Sequence, residues 1–175
     1  SISPVVRQDV VRVLHDWKLT LNAEFSNEYA AGGSNALVDG IKGGIASDPD
    51  YKTGEWQGYF DCDVEGTVDL GQVRSVNQIS LGALRDIRPW IFLPQTVVFY
   101  ASRDGKEWSL VEEIDCLESD FDEMPLLHRF VTDASFTARY IRFDATSYGP
   151  LPSYHLSAGS PSWMFLDELE IRVED

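Results

Sequence analysis

The segment QTVVFYAS (95–102), followed by Arg103, Asp104-Gly105 and Lys106 and then by EWSLVEEI (107–114), decides how this chain reads. Valine, phenylalanine and tyrosine suit a pleated, half-buried backbone, and Asp-Gly between two such runs is the strongest short-range hairpin signal. Outward from that hairpin the texture repeats. Leu19, Leu21 and Ala23 alternate with polar residues, Thr67-Val68-Asp69-Leu70 runs up to Gly71, and Val76, Ile79, Leu81 and Leu84 mark a longer strand. HRFVT (128–132), ARYIRFDAT (138–146) and FLDELEIRV (165–173) complete the series. Seven or eight turn-punctuated strands without helical patterns between them predict an all-β fold, a sandwich or barrel of the jelly-roll kind. Residues 5–17 place Val6, Val10, Val13, Leu14 and Trp17 at helical spacing, although their β-branched content weakens a helix there. We read 1–17 as a linker or N-terminal extension and 18–175 as one domain.

Composition narrows the function. The 175 residues carry 14 Lys plus Arg against 29 Asp plus Glu, a net charge of −15. A field of that sign repels phosphates, which argues against nucleic acid and anionic lipid and suits cations and neutral polymers. No apolar run reaches the roughly 18–20 residues of a membrane span, and the chain does not open on a secretory apolar segment. If the protein is exported, its signal has been removed or lies outside these 175 residues. Cys62 and Cys116 lie in no C-x-x-C and near no histidine cluster, which speaks against zinc and leaves one disulfide or none. Their acidic neighbours raise a thiol pKa and speak against a reactive nucleophile.

Catalysis finds little support. Three scattered histidines (His15, His128, His155) signal no triad, and there is no G-x-S-x-G, P-loop or G-x-G-x-x-G. Carboxylate runs such as Asp120-Phe121-Asp122-Glu123 read as solvated acidic loops, and no pair of them is singled out for glycoside hydrolysis. Two long loops stand out instead. Residues 40–63 hold five glycines with Trp56, Tyr59 and Phe60, and residues 147–162 mix Gly, Pro and Ser with Tyr148, Tyr154 and His155. Long loops rich in aromatic residues point to function. Asp39-Gly40, in a glycine-rich turn, and Asp167-Glu168, in the closing strand, could together cage a hard cation, although Asp-Gly alone is commonly just a turn.

The order of six segments now carries a resemblance. YAAGGSNALVDGIKGG (29–44) followed by EWQGY (55–59) and TVDLG (67–71), then WIFLPQTVVFYASRDGKEW (90–108), ARYIRFDAT (138–146) and WMFLDELEI (163–171) resemble the coagulation-factor five/eight type C, or discoidin, domain. The likeness is nearest to bacterial family 32 carbohydrate-binding modules attached to β-hexosaminidases and other exported glycan-degrading enzymes. It implies an eight-stranded antiparallel jelly-roll β-sandwich, galactose-binding-domain-like, with a structural calcium at one rim. Asp39 and Glu168 would be its carboxylate ligands, and backbone oxygens near Ala36, Ile41 and Gly44 would complete the shell. The binding loops map to 25–33, 41–60, 83–93 and 147–162. A pyranose needs an aromatic face and planar hydrogen-bonding groups. Trp90 or Tyr154 would be the platform, while Arg85, Asp86, Arg88 and His155 would grip hydroxyls.

Each residue also has a plainer role. Trp90 precedes Ile91-Phe92-Leu93 and is as well suited to the core; Trp56 and Trp163 read as structural; Arg85 and Asp86 could pair with each other. The resemblance therefore implies a non-catalytic sugar-binding module, secreted, periplasmic or on the cell surface, beside a catalytic domain in the same chain. The competing classes are a protein-docking or structural accessory domain and, against the charge, a membrane-binding discoidin domain with an apolar spike at Ile91-Phe92.

Overall fold

The computed structural model describes residues 15–45, 54–117 and 122–174. Apart from its last three residues, the 5–17 segment lies outside them. Eight strands follow in chain order: β1 (Lys18–Leu21), β2 (Gln57–Phe60), β3 (Val64–Arg85), β4 (Thr96–Ser102), β5 (Ser109–Asp115), β6 (Leu126–Thr132), β7 (Phe136–Thr146) and β8 (Trp163–Glu174). All pairings are antiparallel. The eight-stranded antiparallel expectation holds, and no helix among the described residues is long and apolar enough to cross a membrane.

One strand belongs to both layers. The first half of β3 pairs with β1 and β7, and its second half pairs with β6 and β8. The sequence suggests two strands separated by a turn at Gly71. The backbone instead continues, absorbing the turn signal as an irregularity between Asp69 and Arg74. Gly71 takes φ +81°, a left-handed conformation that costs glycine little. A bulge at this point bends and twists the strand so that it passes from one sheet to the other. β2 is a further correction, since it forms inside the segment 40–63 that reads as loop. Its buried Gln57, Gly58 and Tyr59 match no alternating pattern because Gln57 is occupied internally, donating to the carbonyls of Ala30 (3.1 Å) and Gly33 (2.8 Å).

The Asp104-Gly105 hairpin is present with a wider tip than two residues. β4 ends at Ser102 and β5 begins at Ser109. The Asp104 carboxylate accepts from the amides of Lys106 (2.8 Å) and Glu107 (3.0 Å), closing the loop with its own side chain.

Alternating residues of both layers meet in one core, including Val68, Leu81, Phe99, Phe130, Ile141, Phe143, Leu166 and Leu169. Cys62 precedes β3 and Cys116 follows β5, and the strand order β3-β7-β4-β5 puts two strands between them. Three strand spacings are roughly 14 Å, beyond a disulfide's reach of about 7 Å between Cα atoms. Cys62 and Cys116 are not bridged to each other.

Candidate functional site

The turn after β3 is built by backbone bonds. Asp86 and Ile91 exchange amide and carbonyl at 3.0 Å in both directions, leaving Ile87, Arg88, Pro89 and Trp90 as the tip. The Trp90 amide donates to the Ile87 carbonyl at 3.1 Å, and the Trp90 carbonyl accepts from the Trp163 amide at 2.8 Å. Held from both sides, Trp90 adopts φ +71°. A bulky side chain rarely takes this left-handed conformation, which costs about 1–2 kcal/mol and tends to persist at functional sites.

The second loop, 147–162, is ordered by its own hydrogen bonds. Leu151 donates to Ser160 (2.8 Å), Gly159 donates back to Leu151 (2.9 Å), and the Ser162 hydroxyl donates to the Gly149 carbonyl (2.7 Å). Leu151 is buried in a small cluster with Ile87 and Phe92, against which Trp90 and Tyr148 pack. His155 completes the junction. Its Nδ1 accepts from the Ser157 amide at 3.0 Å, which places the proton on Nε2, and Nε2 donates to the Ile87 carbonyl at 2.9 Å.

Between these loops lies a cavity of about 480 Å³ lined by Ile87, Arg88, Trp90, Glu123, Tyr154, His155, Leu156 and Ser157. Four of the six residues expected from the sequence to hold a ligand share this one cavity: Arg88, Trp90, Tyr154 and His155. Trp90 is half-buried rather than a core residue. Tyr154 is exposed, and Leu156 stands fully in solvent at the rim. The other two lie outside the lining. Arg85 is buried, and its guanidinium donates to the Met124 carbonyl at 3.0 Å, away from any hydroxyl-gripping role. Asp86 is buried beside it and contributes its backbone to the turn.

Ile87, Leu156 and Ser157 lie in the expected binding loops without having been singled out, and Glu123 lies outside them. Glu123 comes from the acidic run read as a solvated loop. Antiparallel pairing of β6 with β3 sets Leu126 opposite Arg85 and so brings 122–125 beside the turn. The Glu123 carboxylate meets Arg88 at 2.8 Å and raises the guanidinium pKa. Only the strand pairing could have revealed this neighbour.

The expected cation ligands also draw together. Both Glu168 oxygens accept from the Gly40 amide at 3.1 Å, and Asp39 Oδ1 accepts from the Ile41 amide at 2.8 Å. A Cβ on Gly32 would lie 2.7 Å from Asp39 Oδ2, so a larger residue there would push this carboxylate aside. Burial raises the Asp39 pKa. Burial, with Asp39, Asp167 and Glu170 nearby, pushes Glu168 up to about 8. Asp167 is already committed, to Arg129 at 2.9 Å and to the Gly43 amide at 2.9 Å. No group of three or more His, Cys, Asp or Glu is arranged for a metal among the described residues. A cation here would hold two carboxylates and take its other ligands from carbonyls, a donor set that fits a hard ion. Among the expected carbonyl donors, Ala36 is buried, Ile41 is exposed, and Gly44 already accepts from Trp56 Nε1 at 3.3 Å. Trp56 is a buried structural residue, and Trp163 packs on Tyr29, Phe60 and Phe165.

Solved structures share this fold. The family 32 carbohydrate-binding module of Clostridium perfringens NanJ, solved with galactose, is 16% identical over 89% of this chain and 92% of its own, with a TM-score of 0.53. Chitosan-binding module 1 of a Paenibacillus sp. IK-5 chitosanase/glucanase is 16% identical over 91% of this chain and 97% of its own, with a TM-score of 0.51. The C-terminal domain of a Bacteroides fragilis chitobiase is 22% identical over 91% of this chain and 94% of its own, with a TM-score of 0.51. At these identities the likeness is one of fold. A search of curated protein sequences returns no match. The F5/8 type C domain model matches residues 22–160, most of the chain, and the protein therefore belongs to the F5/8 type C domain family.

Proposed function

We propose that this chain is a non-catalytic carbohydrate-binding module with a structural calcium, and that it carries an exported glycan-degrading enzyme to terminal sugars. The observation behind this reading is the cavity shared by Trp90, Tyr154, Arg88 and Glu123. It presents aromatic faces for a pyranose ring and planar charged groups for hydroxyls, the two things sugar recognition requires. Several proteins of this fold are described as sugar binders, with galactose, with GalNAc-β-1,3-galactose or as chitosan-binding modules. Galactose and N-acetylglucosamine are accordingly the first ligands to test.

Binding should be weak. A monosaccharide offers few atoms over which to recover the cost of association, so dissociation constants of roughly 0.1 mM to several mM are expected. Titration of the labelled module with both sugars, followed by crystal soaking, tests the site directly. Ligand density at Trp90 supports the reading, and density elsewhere, or none at tens of millimolar sugar, removes it.

Calcium would be held by Asp39 and Glu168 with backbone carbonyls of the 36–44 loop. It would supply positive charge to two crowded carboxylates and tie that loop to β8. The docking alternative is distinguished by blank sugar titrations together with retention of an adjoining catalytic domain.

A further inference from the structure

Glu123 is the one carboxylate, and Arg88 the one guanidinium, among the described residues lining the cavity. Their side chains are 65% and 76% exposed, so the 2.8 Å pair adds little to folding stability. Its effect falls on whatever enters the cavity. An arginine alone at such a mouth is a carboxylate receptor, because its planar fork matches two carboxylate oxygens. Here the fork already meets a carboxylate, and a second one brought alongside would face like charge within a chain of net charge −15. A sugar hydroxyl meets no such obstacle, since it can donate to Glu123 and accept from Arg88 at once.

We infer that Glu123 is a specificity-determining residue that makes the cavity take uncharged sugars and refuse sugars bearing a carboxylate. This rests on the cavity being the sugar site. Among the described residues, no other element brings a second acid or arginine to the lining.

The test compares sugars that differ only at C6, galactose with galacturonate and glucose with glucuronate. Each is titrated by NMR into the wild-type module, Glu123→Gln and Glu123→Lys at low salt. Both side chains are exposed, so folding should be undisturbed. Wild type should bind the neutral sugar of a pair in preference to its uronate. Relative to the neutral sugar of each pair, uronate binding should strengthen by roughly three- to tenfold in Glu123→Gln and by more in Glu123→Lys, while neutral binding itself weakens in Glu123→Lys, whose ammonium cannot accept from a hydroxyl. At 1 M salt, where charge acts over only about 3 Å, the gain should shrink. Neutral binding at Trp90 with uronate affinity unchanged across the three proteins overturns the role of Glu123 and leaves the sugar site standing. No response of the cavity residues to any of the sugars, in any of the proteins, overturns both.

Discussion

His155 Nε2 donates to the carbonyl oxygen of Ile87 across 2.9 Å, joining residues 68 apart in sequence. The same carbonyl accepts the amide of Trp90. One oxygen therefore holds both the imidazole of the second loop and the backbone of the residue expected to stack on a sugar. With Nδ1 occupied by the Ser157 amide, neither ring nitrogen is left for a hydroxyl. The imidazole shapes the cavity rather than gripping its contents.

His155→Ala should cost about 1–2 kcal/mol, since it strips the Ser157 amide of its acceptor and the loop of its tie. Sugar affinity should fall with it. His155→Gln, whose amide can still donate to Ile87, should recover part of both in denaturant melts and titrations. Recovery of neither would show that the imidazole acts by another route.

Trp90 separates stability from binding. In Trp90→Ala the left-handed backbone stays strained, whereas Trp90→Gly releases it. The glycine variant should be about 1 kcal/mol more stable than the alanine variant. Both should lose sugar affinity equally, and by more than His155→Ala, because a stacking face removes more buried area than one hydrogen bond. Parallel thermal melts and titrations of the three variants check this ordering.

Calcium should raise the melting temperature progressively with its concentration, because the ion would bind only the folded chain. Asp39→Ala should abolish that response and still fold. Gly32→Ala should do the same, since its new Cβ would lie 2.7 Å from Asp39 Oδ2 and displace the carboxylate. A melting curve indifferent to calcium and to chelator would refute the site.

Asp69 gives a pH signature. Its side chain is bound by Arg139 at 2.9 Å through both oxygens, which holds the carboxyl below its ordinary value. A depressed folded-state pKa contributes stability above the unfolded value and loses it as pH falls through the folded one. The stability gap between wild type and Asp69→Asn should therefore be constant above about pH 5 and close on acidification. The gap should be small, because the pair is partly exposed and screened. Denaturant titrations across the acid range, down to about two pH units below the ordinary carboxylate value, would show it.

What the sequence determined was local. Period-two alternation over 141–146 and 169–173 gives those stretches a buried face irrespective of partner, although 164–169 are buried throughout, and the glycine- and aromatic-rich composition of 147–162 marks a loop with chemistry to offer. Arg88, Trp90, Tyr154 and His155 were legible as candidates because the family resemblance maps binding loops onto 83–93 and 147–162, and a pyranose needs an aromatic face and planar hydrogen-bonding groups. The tertiary structure decided which of them meet and what each does on meeting. Arg85, three residues before Arg88, ends β3 where Leu126 of β6 pairs with it, and so turns inward to the Met124 carbonyl. Glu123 reaches the cavity through that same pairing, and His155 spends both nitrogens on loop backbone. β3 runs through its turn signal at Gly71 because β7 pairs with it on both sides of the bulge. Each of these outcomes depends on strand register or on a hydrogen-bond partner tens of residues away. A sequence pattern says which face of a strand is apolar, and only the packed chain says what lies opposite it.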